Sequence, residues 1–113
     1  DYNFMDGSQG QYWGIKATPT GLAAYREMHA GSKLPWAVCV LGGDVTASGL
    51  AKIAIEQGGH IRVGLEDYCG PRKPKNLELV EEVTALAKKA GRPLATSYDA
   101  AEILNLPRGP FRR

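Results

Sequence analysis

Cysteine and histidine are both scarce, with two of each in 113 residues. Cys39 and Cys69 are too few for the disulfide framework of a small secreted scaffold, and they lack CxxC spacing. Cys39 lies inside an apolar run and reads as a buried reduced thiol, which points to a cytoplasmic compartment. No apolar run approaches the ~20 residues of a membrane span, and no basic-then-apolar secretory signal opens the chain. Neither charge sign dominates: 14 Lys and Arg against 12 Asp and Glu leave a net charge of +2. That surplus is too small to predict nucleic-acid binding. Internal repeats and low-complexity tracts are absent. The chain opens on Asp1 rather than Met, so the sequence reads as the tail of something longer or as a processed product.

What is abundant is glycine, 14 residues in all. That is about 12%, against roughly 7% on average, and it predicts many turns or close backbone approaches. Hydrophobic residues at 43% and charged residues at 23% are ordinary for one small globular domain.

The pattern along the chain alternates. Tyr2 to Met5 ends a strand, and Gly7, Ser8 and Gly10 form a loop. Thr18-Pro19 predicts a helix start, Leu22, Tyr25 and Met28 its apolar stripe, and Gly31 its stop. Leu34 to Leu41 is a buried strand, closed by Gly42-Gly43-Asp44. Thr46 or Ser48 caps a second helix, with Leu50, Ile53 and Ala54 along it. His60 to Glu66 is the next strand, and Asn76 caps a third helix reaching about Ala90. Leu79, Val83, Leu86 and Ala90 form that helix's apolar face. A short segment, Pro93 to Ala95, precedes a last helix from Tyr98 to Leu104, and 107–113 form a basic tail. Strands separated by helices make a parallel α/β sheet. Two strands, or three, are too few for a self-sufficient α/β domain, so the chain reads as one partial domain over residues 1–113. A complete (β/α)8 barrel takes about 250 residues.

The strand from His60 carries the chemistry. Period two places Ile61, Val63 and Leu65 on one face and His60, Arg62, Gly64 and Glu66 on the other. Arg62 and Glu66 are costly to desolvate unless paired or bound. Asp67 follows at the C-terminal end, where open α/β sheets and barrels place their active sites. Gly64 leaves space between Arg62 and Glu66. The alternative is a structural Arg62–Glu66 ion pair on a half-exposed strand. The Gly42-Gly43-Asp44 loop has a similar double reading, as a plain turn or as a phosphate cradle at a helix start.

The string Gly58-Gly59-His60-Ile61-Arg62-Val63-Gly64-Leu65-Glu66-Asp67 resembles the β-keto acid cleavage enzyme family, which includes the 3-keto-5-aminohexanoate cleavage enzymes. Trp36 to Asp44, Gly49 to Gly59, Asn76 to Glu82 and Gly91 to Thr96 fit the same family in the same order. The likeness covers about Ala17 to Leu106. It implies the C-terminal part of a zinc-dependent (β/α)8 TIM barrel that exchanges acyl groups between a β-keto acid and acetyl-CoA, giving acetoacetate and a new acyl-CoA. By position, it implies Glu66 as a zinc ligand, Asp67 as catalytic acid/base, and Arg62 as the residue that orients Asp67 and helps stabilise charge. A carboxylate is a competent zinc ligand, and a neighbouring one can move a proton.

The chain departs from the family in its histidines. The family's other ligands form a His-x-His pair, whereas His29 and His60 lie far apart. His29 falls near a helix end and His60 at the N-terminal end of its strand, so the chain supplies at most one of three expected ligands and is expected to be inactive alone. Arg72, Lys73, Lys75, Arg108, Arg112 and Arg113 read as solvated charge, with acyl-CoA phosphates the alternative partner. Open barrel strands predict a homo-oligomer or completion by the missing strands. The rival reading is a non-catalytic remnant, or a phosphate-binding module that takes coenzyme A without metal. All of this requires Arg62, Glu66 and Asp67 to converge on a shared cavity.

Overall fold

The computed structural model describes residues 1–7 and 14–107. Four strands, β1 (Tyr2–Asp6), β2 (Ile15–Lys16), β3 (Ala37–Leu41) and β4 (His60–Ile61), lie in one sheet in the order β2-β1-β3-β4. Every pairing is parallel. Four helices accompany them: α1 (Pro19–Met28), α2 (Leu50–Glu56), α3 (Asn76–Lys89) and α4 (Ser97–Ile103). The alternation expected from the sequence is therefore present, with β2 as a strand it did not foresee. None of the described helices is long and apolar enough to cross a membrane.

Helices α1, α2 and α3 lie on one face of the sheet. Met5, Val38 and Val40 point to that face and pack with Leu22 of α1 and Leu50, Ala51 and Ala54 of α2. Ile61, Val63 and Leu86 border the same core. The register pairs Phe4 with Cys39 and Val38 with Ile61, so Phe4, Cys39 and Arg62 fall in one row of the opposite face. No described helix packs on that face.

Local chemistry explains the helix ends. Thr18 Oγ1 accepts the Gly21 amide at 3.0 Å, and Pro19 fills the first helical position, as its missing N–H allows. The Tyr25 hydroxyl donates to the Phe4 carbonyl and accepts from the Ile15 amide, both at 3.1 Å, and so staples α1 to β1 and β2. The apolar stripe of α1 ends there, because Met28 is exposed. Thr46 does not cap α2, whereas Ser48 Oγ accepts the amide of Leu50, the first residue of the helix, at 3.4 Å, though the N-cap position itself falls one residue later. The N-cap position is a left-handed Gly49, and Asp44 Oδ1 accepts the Thr46 and Ala47 amides at 2.9 and 3.1 Å. On α3, Lys75 is the N-cap, and its amide donates to Glu78 Oε2 at 2.6 Å. Ala90 is exposed, while Leu79 and Ala87 are buried and Leu86 packs against the core.

The strand at Leu34 starts only at Ala37, since Leu34 is exposed and Pro35 cannot donate to a ladder. Pro93 to Ala95 forms no strand. The helix after it, α4, buries none of its residues, and an open groove of about 540 Å³ runs between Ile61, Val83, Arg92, Leu94 and Ile103. Of the basic tail, only Pro107 lies within the described residues.

Arg92 closes the C-terminal end of α2. Its guanidinium donates to the carbonyls of Ile55 at 3.2 Å and Gly58 at 3.3 Å, and also to that of Gly59. These are orphan carbonyls of a helix end and the turn after it, which need donors once water is excluded. Arg92→Ala is expected to destabilise the chain by about 1–3 kcal/mol. Arg92→Lys, with fewer donors and no planar fork, should recover only part of that. Urea unfolding midpoints of the two variants measure it.

Candidate active site

Backbone hydrogen bonds join the chain at the C-terminal ends of β1, β3 and β4. The Gly7 amide donates to the Leu41 carbonyl at 2.8 Å, and the Gly42 amide to the Asp67 carbonyl at 2.9 Å. A Cβ on Gly7 would sit 2.5 Å from the Gly42 carbonyl carbon, so no larger residue fits without moving a loop. This packing brings the segment after β4 against the loop after β3.

The expected strand from His60 to Glu66 stops at Ile61. The Arg62 amide still reaches the Val38 carbonyl at 3.0 Å, but the Gly64 carbonyl then accepts the amides of Asp67 (3.1 Å) and Tyr68 (3.0 Å). The chain bulges out as a turn and returns to the sheet through a Gly43–Tyr68 bridge and a Cys69 amide to Gly43 carbonyl bond at 2.8 Å. Alternation holds for Ile61 and Val63 and fails at Leu65, which the turn carries into solvent. A side chain on Gly64 would meet only Asn76 Oδ1, at 3.5 Å, so that glycine is not what makes room between Arg62 and Glu66.

The turn, rather than strand periodicity, brings the three singled-out side chains together. Arg62 Nη2 donates to Glu66 Oε2 at 2.7 Å and to Asp67 Oδ1 at 3.0 Å, and Arg62 Nε lies 2.9 Å from Asp67 Oδ2. The two acids differ in setting. The Asp67 side chain is 5% exposed and that of Glu66 83%. Arg62 and Asp67 line a cavity of about 20 Å³ with Val40, Asp44, Tyr68 and Leu79, and Glu66 lies outside it facing solvent. Convergence on Arg62 is therefore seen, but not a cavity shared by all three. Burial pushes the Asp67 carboxyl above the usual carboxylate range, against the pull of the Arg62 guanidinium. Arg62 also lies over the Phe4 ring, 5.9 Å from its centroid.

Cys39 is fully buried in the same row, and its thiol is pushed up to about 11, by burial first and then by the Asp67 charge. The histidines stand elsewhere. His60 opens β4 at the end away from the turn, and burial lowers its pKa, with the Arg92 charge acting the same way. His29 Nδ1 lies 3.8 Å from Asp1 Oδ1. Among the described residues, no three of His, Cys, Asp and Glu come together as a metal cluster.

The phosphate reading of the Gly42-Gly43-Asp44 loop meets occupied donors, because Asp44 and Asp67 already take the amides of Thr46, Ala47 and Gly42. Arg72, too, is engaged. It bonds Glu82 and Asp44, the latter at 3.2 Å, and lies over the Tyr68 ring. Sequence reasoning missed this clamp, and it missed the bond from the Leu65 amide to Asn76 Oδ1 at 3.2 Å. Asn76 was expected to cap α3, which hid its partner. Arg108, Arg112 and Arg113 lie outside the described residues.

Residues 2–106 match the beta-keto acid cleavage enzyme family. The chain belongs to that family. A 3-keto-5-aminohexanoate cleavage enzyme of Acetoanaerobium sticklandii is 39% identical over 109 residues, covering 93% of this chain and 38% of the relative. Another of that description from Fusobacterium nucleatum is 48% identical over 61 residues, covering 50% and 22%. A 3-oxoadipate:acetyl-CoA acetyltransferase of Cupriavidus necator is 44% identical over 62 residues, covering 51% and 22%. The chain thus spans well under half the length of these members of the β-keto acid cleavage enzyme family.

The two thiols provide a check on the site's packing. Cys69 is exposed and Cys39 is buried beneath the Arg62–Asp67 pair. At pH 8 a disulfide reagent is expected to titrate one thiol quickly in the native chain and the second only on unfolding. Mass mapping should assign the fast one to Cys69.

Proposed function

We propose that this chain is the C-terminal part of a (β/α)8 barrel that cleaves a β-keto acid with acetyl-CoA, giving acetoacetate and a new acyl-CoA. The observation that carries the reading is Arg62 holding both Glu66 and Asp67 at the C-terminal end of a parallel sheet. Helices on one sheet face and no described helix on the other suit a barrel wall, whose inner face would carry Phe4, Cys39 and Arg62. The outer edges at β2 and β4 suit completion by further barrel strands or self-association. A cytoplasmic compartment fits the reduced, buried Cys39.

In this reading Glu66 is one ligand of a zinc ion, and Asp67 is the acid/base. The donor set fits zinc only in part. Glu66 has a solvent-facing carboxylate, one oxygen of which takes Arg62, and among the described residues no three of His, Cys, Asp and Glu cluster around it. The remaining ligands would have to come from outside the described residues. Zinc, when bound, supplies Lewis-acid stabilisation of negative charge on a keto acid oxygen. The chain's own residues do the rest. Asp67 is buried, and burial makes its carboxyl hold a proton more tightly than an exposed one, the direction an acid/base group needs. Arg62 keeps that carboxyl aimed and offers further donors to a substrate carboxylate. Selectivity among keto acids would come from walls outside this stretch.

The test grafts this chain in place of the aligned stretch of the Acetoanaerobium relative. The graft is expected to bind zinc and to form acyl-CoA from a β-keto acid and acetyl-CoA. Glu66→Ala should lower zinc content, measured by mass spectrometry. Asp67→Asn should keep the zinc and lose at least about 100-fold in kcat. Unchanged zinc content in Glu66→Ala would remove the metal assignment, and full activity in Asp67→Asn the acid/base one.

A further inference from the structure

Asn76 stands at the first position of α3 and does not cap it, since Lys75 and Glu78 do that. An Asn at a helix start commonly uses its side chain to cap, and this one is left available for another partner. That partner is visible: Oδ1 accepts the backbone N–H of Leu65 at 3.2 Å. We infer that Asn76 is a positioning residue for the candidate site, acting through the Leu65 amide to fix where the turn presents Glu66. The inference rests on the reading of the site given above and extends it to a residue outside the Arg62–Asp67 segment.

The two halves of the turn are held differently. Its C-terminal half is tied to the sheet by backbone, through Asp67 to Gly42 and Cys69 to Gly43, and the Asp67 side chain is buried. Its N-terminal half has no such support. Leu65 is 54% exposed and Glu66 still more so, and neither packs into the core. Beyond the turn's own bonds from the Asp67 and Tyr68 amides to the Gly64 carbonyl, the direction of Glu66 depends on two side-chain bonds, Arg62 to its carboxylate and Asn76 to the amide just before it. Removing the second leaves Glu66 on a single exposed ion pair, which holds geometry poorly.

Asn76 is offered from a fixed base. Arg72 ties the loop ahead of α3 to Asp44 and to Glu82, and Leu79 anchors the same helix in the core. Loss of the Asn76 amide should leave those ties intact and act on the turn alone. Asp67, anchored through its own carbonyl, should hardly move.

Amide exchange by NMR on the 113-residue chain is the test. Asn76→Ala is expected to speed exchange at Leu65 up to about tenfold, the loss of one hydrogen bond. Exchange at His60, Arg62 and Cys69, whose amides bond to the sheet or its loop, should stay within twofold. Asn76→Asp keeps an acceptor oxygen and should restore Leu65. In the grafted enzyme, Asn76→Ala should weaken zinc retention. Unchanged Leu65 exchange in Asn76→Ala overturns the inference. So does an equal rise at all four amides, or a failure of Asn76→Asp to rescue. A graft with neither zinc nor activity counts against the proposed function, and the exchange data then still decide the role of Asn76.

Discussion

A single guanidinium between two adjacent carboxylates organises the end of this molecule. Arg62 bonds both Asp67 and Glu66, and the rest of the site follows from how those bonds are made possible. A buried carboxylate next to a buried thiol is unfavourable in isolation, because desolvation penalises its charge. The Arg62 fork offsets that cost, since its Nη2 donates to Asp67 Oδ1 while its Nε lies beside Oδ2, and it stays partly hydrated itself. Asp67 is consequently pulled two ways, upward by burial and downward by Arg62, with burial the larger effect. A carboxyl balanced in that fashion is easily tuned for proton transfer.

Backbone packing makes the pairing possible. Parallel strands end together, and here the loops after β1 and β3 touch at Gly7 and Gly42 with no room for a side chain. The segment after β4 joins them through the Gly42–Asp67 and Cys69–Gly43 bonds. These contacts set the height at which Asp67 meets the sheet face that carries Phe4 and Cys39. The site is thus a property of where the sheet stops, as in other parallel α/β architectures.

Much of this was legible in the sequence. Thr18-Pro19 announced α1 because a hydroxyl cap and an amide-free first residue have few other uses. The β-branched run before Gly42 announced β3, and the motif around Arg62 announced the family. What stayed hidden was tertiary in origin. A reader of alternation extends the strand to Glu66, yet the Gly64 carbonyl takes two amides of its own chain and curls it out of the sheet. Alternation still placed Arg62 and Glu66 together, though the contact is made by that curl. Asn76 looks like a helix cap, and only the fold reveals that its oxygen faces Leu65. Arg72 looks like one charge in a basic loop, and its acidic partners lie 28 and 10 residues away.

The central claim is that Arg62 and Asp67 are energetically coupled, and a double-mutant cycle measures that directly. Arg62→Met, Asp67→Asn and the double variant, unfolded in urea, should show a coupling of at least about 1 kcal/mol between the two positions. The parallel cycle with Glu66→Gln should show less, about 0.5 kcal/mol or below, as expected of an exposed pair. Additive effects of Arg62→Met and Asp67→Asn, within about 0.3 kcal/mol, would contradict the account.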